Sequence, residues 1–303
     1  MSSYKVLVLG ANGMLGKMVS LYLSTNKNFN VEVTTRNKTE FILENFKNNS
    51  HILDINQNSL LDIVKNDKFN FIINCIGVIK PKINENDNVS VKETILTNSY
   101  FPLSIQNIAK DENIKYIQIG TDCVFSGLAG DHFEDSYKDA EDLYGKSKIV
   151  GEIESHNKIV LRSSIIGPES GNGYSLMNWF IRNKDSEVSG YKNHQWNGVT
   201  TLNFAKIIEG IIKNNSLDFR THHLIPANSI SKADLLEAFK KYFLKDVKIN
   251  HINADTLIDR TLKTKNNTLN TTLWKNAGYD NVPTIEENIE ELAKSNLSNR
   301  IMT

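Results

Sequence analysis

Apolar residues in the first half of the chain form short continuous runs, which are separated by stretches with helical spacing. The first run, Val6–Leu9, contains no polar residue, which is typical of a parallel strand that is buried on both faces. Comparable runs predict further strands at residues 31–35, 51–54, 71–76 and 116–120. Because these strands alternate with helices, the pattern predicts an α/β fold built on a doubly wound parallel sheet.

Three glycines, Gly10, Gly13 and Gly16, follow the first strand and lead into a helix. In a Rossmann-type sheet the first glycine allows a tight turn, the second lets the backbone approach a pyrophosphate, and the third lets the helix pack on the strand. The spacing is Gly-x-x-Gly-x-x-Gly and meets the Gly-x-Gly-x-x-Gly fingerprint only approximately. The pyrophosphate would bind free N–H groups at the helix start, so we predict dinucleotide contacts at Gly10, Asn12, Gly13, Met14 and Leu15.

The end of the second strand indicates which dinucleotide fits. NAD-specific sites usually place an acidic residue there, whereas an arginine accommodates a 2′-phosphate. Here the residue is Arg36, which favours NADPH, with NADH as the alternative. Ligands of such sheets lie beyond the carboxyl ends of the strands, and this rule adds Asp54, Ile55, Cys75, Ile76 and Gly77 to the predicted cofactor cleft.

The residues with chemistry follow the fifth strand. Thr121 comes directly after that strand, and Tyr144 and Lys148 lie four residues apart, on one face of a predicted helix. A free phenol has a pKa near 10, and a neighbouring ammonium lowers it. We therefore expect a positive pocket, shared by Lys148 and an oxidised nicotinamide, to lower the pKa of Tyr144 by about three pH units, or roughly 4 kcal/mol. The Thr121 hydroxyl is expected to hold a substrate oxygen beside Tyr144.

Together these motifs resemble the extended short-chain dehydrogenase/reductases, and within them the nucleotide-sugar 4-keto reductase branch typified by dTDP-4-dehydrorhamnose reductase. The resemblance spans most of the chain. It rests on residues 10–16, 74–77, 98, 120–127, 142–152 and 161–164.

The resemblance implies a role for each central residue. In that family the residue that matches Thr121 binds the substrate oxygen, the one that matches Tyr144 donates a proton, and the one that matches Lys148 holds the nicotinamide ribose. Asn98 is also expected to contact the cofactor. The implied activity is the NADPH-dependent reduction of a 4-keto-6-deoxy nucleotide sugar for the synthesis of surface polysaccharide precursors.

Two segments depart from the usual pattern of that branch, and both lie where the family contacts the sugar. Cys123 and Ser126 stand where Tyr and Asp are usual, and the later Gly-x-Pro-Thr turn appears as Gly198–Thr201. The sugar is therefore left open between the dTDP-linked rhamnose precursor and a UDP-linked N-acetyl-6-deoxy-hexos-4-ulose. The predicted substrate contacts are Thr121, Asp122, Cys123, Val124, Phe125, Asn178, Tyr191 and Trp196. Tyr191 and Trp196 would serve equally well as core aromatic residues.

After residue 166 the alternation of strands and helices weakens. The pattern predicts helices at 176–181 and 202–212, a strand at 223–225 that returns to the main sheet, and capping boxes that begin at Ser231 and Thr284. We therefore expect a Rossmann domain of residues 1–165, to which roughly 200–228 return. Residues 166–199 and 229–303 would form a smaller, mainly helical substrate domain.

Composition narrows the class of protein further. The 303 residues include 35 Lys plus Arg and 35 Asp plus Glu, so no charge excess favours nucleic acid or a membrane surface as a partner. Two cysteines, Cys75 and Cys123, are too few for a disulfide framework or a zinc site, and no metal is predicted. No apolar run has the length of a membrane span, and we expect a cytoplasmic protein without a signal peptide. Association as a homodimer is left open.

Three hypotheses remain in competition: a 4-keto reductase, an epimerase or dehydratase on the same scaffold, and a non-catalytic subunit. A 4-keto reductase uses all of Thr121, Tyr144 and Lys148. A sugar-nucleotide epimerase shares the Tyr and Lys, but Arg36 favours an exchangeable NADPH over the tightly held NAD of that class. A dehydratase is disfavoured because Cys123 stands where those enzymes carry a catalytic Glu. The third reading is a non-catalytic NADP-binding regulatory subunit, which often loses part of the set that this chain keeps.

Overall fold

The computed structural model describes residues 4–55, 57–171, 173–215 and 220–302. The strands in chain order are β1 (Tyr4–Leu9), β2 (Phe29–Thr35), β3 (Ser50–Ile52), β4 (Phe71–Asn74), β5 (Lys115–Ile119), β6 (Lys158–Arg162), β7 (Ile165–Ile166), β8 (Glu187–Tyr191), β9 (His194–Trp196), β10 (Val199–Thr200), β11 (Thr221–His223), β12 (Ile230–Ser231), β13 (Lys248–Ile252) and β14 (Ile258–Asp259). The helices are α1 (Met14–Ser24), α2 (Glu40–Asn45), α3 (Gln57–Asn66), α4 (Asn88–Ile95), α5 (Phe101–Asp111), α6 (Leu143–Gly151), α7 (Leu176–Arg182), α8 (Thr201–Asn214), α9 (Lys232–Tyr242), α10 (Asn267–Asn276), α11 (Ile285–Lys294) and α12 (Asn296–Met302).

Seven parallel strands form the central sheet in the order β3-β2-β1-β4-β5-β6-β11. The order reverses between β1 and β4, so the connections that leave these two neighbouring strands run to opposite sides. This arrangement opens a crevice beyond their carboxyl ends, where doubly wound sheets bind ligands. The predicted α/β class and parallel sheet are confirmed.

The central strand β1 is buried on both faces, as its apolar run predicts. Val6 and Val8 pack into a hydrophobic cluster with residues of α1 and α8. Leu7 and Leu9 point to the opposite face and pack with residues of α3 and α5. Because side chains alternate along a strand, this one run contributes to two cores, and the sheet is covered by helices on both sides.

The connection from β4 to β5 is a helical rod with one irregular turn. The rod consists of α4, a π-helical turn at Leu96–Tyr100 and α5. Pro102 lies in the first turn of α5, where its missing N–H costs little.

The C-terminal half of the chain adds two small sheets. Strand β8 pairs with β13 in parallel, and β9 pairs with both β12 and β14. Helix α9 packs on β8 and β13. Ser231 and Thr284 both begin helices through capping boxes, as predicted. The returning strand is β11, which pairs with β6 and lies two residues earlier than expected.

The last helices pack partly against helices that cover the central sheet, because α10 packs on α8 and α12 packs on α1. The division into domains at residues 165, 200 and 228 stays a prediction. Among the described helices, none combines the length and hydrophobicity that are needed to cross a membrane.

Candidate active site

The glycine turn after β1 is held by close backbone contacts. Gly10 has a φ of +81°, and a Cβ there would lie 2.7 Å from Cγ1 of Ile76. A Cβ at Gly16 would lie 2.1 Å from the carbonyl oxygen of Gly10, so α1 can approach the turn only with glycine at that position. Gly13 precedes α1 and offers no side-chain cap. The first N–H groups of α1 therefore remain available to an anion.

The side chains of the predicted turn residues have different surroundings. Leu15 is buried in the hydrophobic core, so only its backbone is available to a dinucleotide. Met14 is partly exposed. The Asn12 amide donates to Oγ1 of Thr35 at 2.5 Å, and its oxygen accepts from Oγ1 of Thr39 at 2.7 Å. Asn12 therefore fastens the glycine turn to the segment after β2.

Arg36 follows β2 directly and is adjacent to Thr35, which accepts a hydrogen bond from Asn12. Its side chain is exposed, and within the described ranges it makes no ion pair or hydrogen bond. The amide of Asn12 also donates to the carbonyl oxygen of Asn37 at 3.1 Å, which keeps the residue after Arg36 against the glycine turn. A guanidinium without a protein partner beside such a turn suits a phosphate group.

The other wall of the crevice follows β3 and β4. The N–H of Cys75 donates to the carbonyl oxygen of Leu9 at 3.1 Å, and Asn74 accepts from the N–H of Ile76 at 3.0 Å. Cys75, Ile76 and Gly77 thus turn away from the sheet beside the glycine turn. Asp54 is exposed, and its carboxylate accepts from the N–H of Ile55.

Asn98 is buried, and its side-chain amide is hydrogen-bonded within the protein. It donates to the carbonyl oxygen of Val78 at 2.9 Å and to Oγ of Ser147 at 3.1 Å, and accepts from the N–H of Val78 at 2.9 Å. Its amide is therefore occupied by protein groups. Asn98 thus bridges the turn after β4 and α6, and its contact with a cofactor stays a prediction.

Thr121 stands at the end of β5 and opens a short turn. Its Oγ1 accepts from the N–H of Cys123 at 3.2 Å and lies 3.2 Å from Oδ1 of Asp122. Its backbone N–H donates to Oε1 of Glu152 at 3.2 Å. These contacts fix the direction of the Thr121 hydroxyl relative to the strand.

Helix α6 begins against this turn. Asp142 caps the helix by accepting from the N–H of Gly145 at 2.8 Å. A Cβ at Gly145 would lie 2.4 Å from the carbonyl oxygen of Cys123, so the helix start and the turn touch through their backbones. As a result the Tyr144 side chain lies close enough to Thr121 for the two groups to interact.

Burial governs the pKa values of Tyr144 and Lys148. It raises the pKa of the Tyr144 phenol above its ordinary value, and the nearby Cys123 acts in the same direction. The Thr121 hydroxyl opposes this shift. The predicted lowering of this pKa, which needs an oxidised nicotinamide beside Lys148, stays a prediction. The ammonium of Lys148 is buried and donates to the carbonyl oxygen of Ile119 at 2.9 Å. Burial lowers the pKa of Lys148, and the Glu152 carboxylate opposes that shift.

Several predicted substrate contacts lie in the core. Val124 and Phe125 are both 0% exposed and pack with Leu262, and their contact with the sugar stays a prediction. Trp196 is buried, and its Nε1 donates to Oγ of Ser164 at 2.8 Å. Asn178 is buried too.

The amide of Asn178 holds a loop. It donates to the carbonyl oxygen of Gly173 at 3.0 Å, and its oxygen accepts from Nε of Arg182 at 3.2 Å. Asn178 and Trp196 thus both make hydrogen bonds within the protein, and their contact with a substrate stays a prediction. Val124 and Phe125 are buried because apolar side chains hold the turn after β5 against the hydrophobic core.

A cavity of about 640 Å³ lies beside this turn. It is lined by Leu176, Trp179, Asp185, Glu187, Val188, Ser189, Tyr191, His194, Lys232 and Leu236. Tyr191 lines this cavity, with its ring 4.8 Å from that of His194, and its contact with a substrate stays a prediction. The exposed ring of Trp179 adds a second aromatic surface.

Lys232 is a site residue that the sequence analysis missed. Its ammonium lies 5.2 Å from the centre of the Trp196 ring. Burial lowers the pKa of Lys232 to about 8, while the nearby Asp122 and Cys123 oppose that shift. This lysine thus connects the cavity with the Thr121 turn. The capping box at Ser231 placed Lys232 at the start of a helix, but no local signal showed which side chains the helix start faces.

The residues Glu32, His51 and Asp67 lie close enough together to suggest a cation site. However, the ammonium of Lys5 lies 2.8 Å from Glu32 and 2.5 Å from Asp67, and His51 lies 2.7 Å from Glu32. A lysine already occupies the position of the cation, so the cluster is an ion-pair network.

Solved structures with a similar fold include two sugar-nucleotide reductases and an epimerase. A dTDP-4-dehydrorhamnose reductase from Clostridium acetobutylicum has 21% sequence identity and a TM-score of 0.74 over 95% of this chain and 98% of that chain. A dTDP-4-dehydrorhamnose reductase from Bacillus anthracis, solved in complex with NADP, has 18% identity and a TM-score of 0.74 over 96% and 98%. An ADP-L-glycero-D-manno-heptose-6-epimerase from Helicobacter pylori has 15% identity and a TM-score of 0.75 over 96% and 95%. A comparison with curated protein sequences gives no significant match.

The seven-stranded Rossmann-type sheet, with Thr121, Tyr144 and Lys148 near the end of β5, places the chain in the fold class of these solved structures. Within that class the sequence can be assigned more narrowly. Residues 4–297 match the family described as RmlD substrate binding domain, and the chain belongs to that family.

Proposed function

We propose that this protein reduces the 4-keto group of a 4-keto-6-deoxy nucleotide sugar with NADPH. The observation that carries the proposal is the pair of Thr121 and Tyr144, whose side chains lie close together at the end of β5, where the buried ammonium of Lys148 donates to the carbonyl oxygen of Ile119. A carbonyl oxygen that binds this pair meets one hydroxyl that orients it and one that can protonate it.

The residues of the crevice fit a nicotinamide dinucleotide. A Cβ at Gly13 would meet only the carbonyl oxygen of Gly10, at 3.4 Å, so the backbone at this second glycine is open to a pyrophosphate. The exposed Arg36, without a partner among the described residues, suits the 2′-phosphate of NADPH. When bound, the cofactor supplies the hydride that reduces the carbonyl carbon.

The protein contributes the proton and the orientation. Because burial raises the pKa of Tyr144, the phenol keeps its proton at neutral pH and can donate it as negative charge develops on the substrate oxygen. The Thr121 hydroxyl orients that oxygen. Lys148, buried close to both cysteines, supplies a positive charge that favours the resulting phenolate.

The cavity beside the turn suits the nucleotide end of the substrate. Trp179 and Tyr191 offer exposed aromatic surface for a base, and Lys232 offers a positive charge for a diphosphate. Whether the nucleotide is dTDP or UDP is left to experiment, and so are the biosynthetic pathway and the compartment.

One assay separates the proposed function from its competitors. NADPH oxidation would be followed with a panel of dTDP- and UDP-linked 4-keto-6-deoxy sugars, and the products would be identified by mass spectrometry. Stoichiometric NADPH oxidation with a product two mass units heavier is expected. Isomerisation without net oxidation would instead identify an epimerase, and NADPH binding without turnover on any sugar would favour a regulatory subunit.

A further inference from the structure

The backbone of Thr121 is held by a buried carboxylate from the helix that carries the other two residues of the set. The N–H of Thr121 donates to Oε1 of Glu152 at 3.2 Å. Glu152 is 1% exposed and directly follows α6, the helix of Tyr144 and Lys148. One side chain therefore ties the end of β5 to the end of α6.

The second oxygen of this carboxylate is fixed independently. Arg162 is completely buried and donates to Oε2 of Glu152 from Nε at 3.2 Å and from Nη2 at 2.7 Å. The ammonium of Lys138 lies farther away, at 3.9 Å from the same oxygen. A buried charge is retained only when it is paired and hydrogen-bonded. The fork of Arg162 thus sets the orientation in which Oε1 faces Thr121.

The arginine extends the contact to a distant segment. Its Nη1 donates to Nε2 of His223 at 2.7 Å, and Nδ1 of His223 donates to the carbonyl oxygen of Lys263 at 2.7 Å. Because a guanidinium has no acceptor, the imidazole must be neutral with its proton on Nδ1. The backbone N–H of His223 also donates to Oε1 of Glu134 at 3.3 Å. The chain of contacts therefore runs from Thr121 to the segment around Lys263.

The Glu152 carboxylate fits against the backbone at Gly120 because this residue has no side chain. A Cβ at Gly120 would lie 2.8 Å from Oε1 of Glu152 and 3.1 Å from Cα of Arg162. The residue before Thr121 must therefore be glycine for the carboxylate to reach the Thr121 N–H. This steric fit is independent of the ion pair.

We propose that Glu152 is a positioning residue for the reduction, and that it acts by holding the Thr121 backbone so that the Thr121 hydroxyl faces the substrate carbonyl. The proposal rests on the proposed function, because the reaction defines what Thr121 must orient. The contacts of Arg162 and His223 keep the carboxylate in this orientation.

A double-mutant cycle distinguishes positioning from a merely structural ion pair. Glu152→Gln leaves one donor unpaired, because its amide cannot accept from both Arg162 and Thr121. We expect kcat to fall about 10- to 100-fold in the parent protein, with the KM for NADPH within about twofold. In a Thr121→Ala background, which lacks the hydroxyl, the same change should alter kcat less than about twofold. Equal losses in the two backgrounds would overturn the proposal.

A second variant and a second readout cover the case in which Glu152→Gln does not fold. Glu152→Asp keeps the charge for Arg162 but is too short to serve both partners. Amide hydrogen exchange of the NADPH-loaded protein should be faster at residues 120–123 in Glu152→Asp than in the parent. The control Lys138→Met, which removes a charge near the same oxygen, should leave the exchange unchanged.

Unaltered exchange at residues 120–123 in Glu152→Asp would refute the positioning role. This measurement needs no turnover. A parent protein that reduces none of the keto sugars would therefore count against the proposed function alone, and the exchange result would still decide whether Glu152 holds Thr121.

Discussion

The ammonium of Lys148 donates to the carbonyl oxygen of Ile119 at 2.9 Å, two residues before Thr121. The positive charge is thus held at the end of β5. The pKa of Tyr144 is set mainly by burial, which raises it. For the reduction of a carbonyl this is favourable, because a proton donor must hold its proton until negative charge appears on the substrate.

Replacing the proton donor should abolish most of the turnover. Tyr144→Phe removes one hydroxyl, so we expect kcat to fall about 10²- to 10⁴-fold, while NADPH affinity and thermal stability stay close to those of the parent. Stopped-flow turnover and NADPH fluorescence titration would measure the two effects. Tyr137→Phe is the matched control, because that tyrosine is 87% exposed. Turnover of Tyr144→Phe within a few-fold of the parent would argue against the assigned donor.

Arg36 should decide the choice of cofactor. A charge-assisted contact with a 2′-phosphate contributes about 1.5 to 3 kcal/mol. Arg36→Ala should therefore lower the ratio of kcat/KM for NADPH over NADH by about 10- to 100-fold, chiefly through NADPH. Lys47→Ala, another exposed cation, is the control and should leave the ratio unchanged. If the parent used both cofactors equally well, Arg36 would have no such role.

Cys123 should help to select the sugar. Its half-buried sulfur lies 3.6 Å from Oδ1 of Asp122 in the turn beside the Thr121–Tyr144 pair. A tyrosine there would narrow the pocket, and overpacking costs about 1 to 3 kcal/mol. Cys123→Tyr should therefore lose about tenfold more kcat/KM on a UDP-linked N-acetyl sugar than on the dTDP-linked substrate, whereas Cys123→Ser should not discriminate. Equal losses on both substrates would rule out the steric explanation.

His223 should make the protein sensitive to acid. Burial, with the positive charge of Arg162, lowers its pKa to about 4 from an ordinary value of 6.5. Below pH 6.5 the unfolded chain binds a proton that the folded protein does not yet accept. The free energy of unfolding should thus be fully present above pH 6.5 and fall by up to about 1.4 kcal/mol per pH unit down to about pH 4.

Urea unfolding between pH 4 and 7 would measure this loss. His223→Gln offers an acceptor to Arg162 without titrating, so its stability should vary less with pH than that of the parent. His156→Gln removes an exposed histidine and should preserve the parent profile. A slope in His223→Gln as steep as in the parent would assign the acid sensitivity to other groups.

The sheet and the central pair of site residues could be predicted because their signals are local. Apolar runs such as Val6–Leu9 and the three glycines after them report their own surroundings. The four-residue spacing of Tyr144 and Lys148 is likewise a property of one helix. The predicted strand ends differ from the observed ones by a few residues, since the apolar character of Cys75 and Ile76 continues beyond the last paired residue of β4.

Other site residues depend on which segments meet, and their neighbours in sequence do not show this. Lys232 approaches Asp122 only because α9 packs near the turn after β5. Glu152 reaches Thr121 across 31 positions of the chain. Trp196 was open between pocket and core, and its hydrogen bond to Ser164 depends on contacts between β9 and the end of β6. The pKa of Tyr144 follows from burial, which the spacing of two residues cannot report.

The π-helical turn at Leu96–Tyr100 amounts to one residue inserted into an otherwise regular rod. At Gly151 a Cβ would lie 2.2 Å from the carbonyl oxygen of Asn98, so the rod and α6 touch through their backbones at this insertion. Deleting one residue would turn the preceding half of the rod by about 100° relative to the following half, and Asn98 would lose Val78 or Ser147. Insertions and deletions between β4 and β5 are therefore tolerable only in the loops that flank the rod, because its length is part of the alignment of α6.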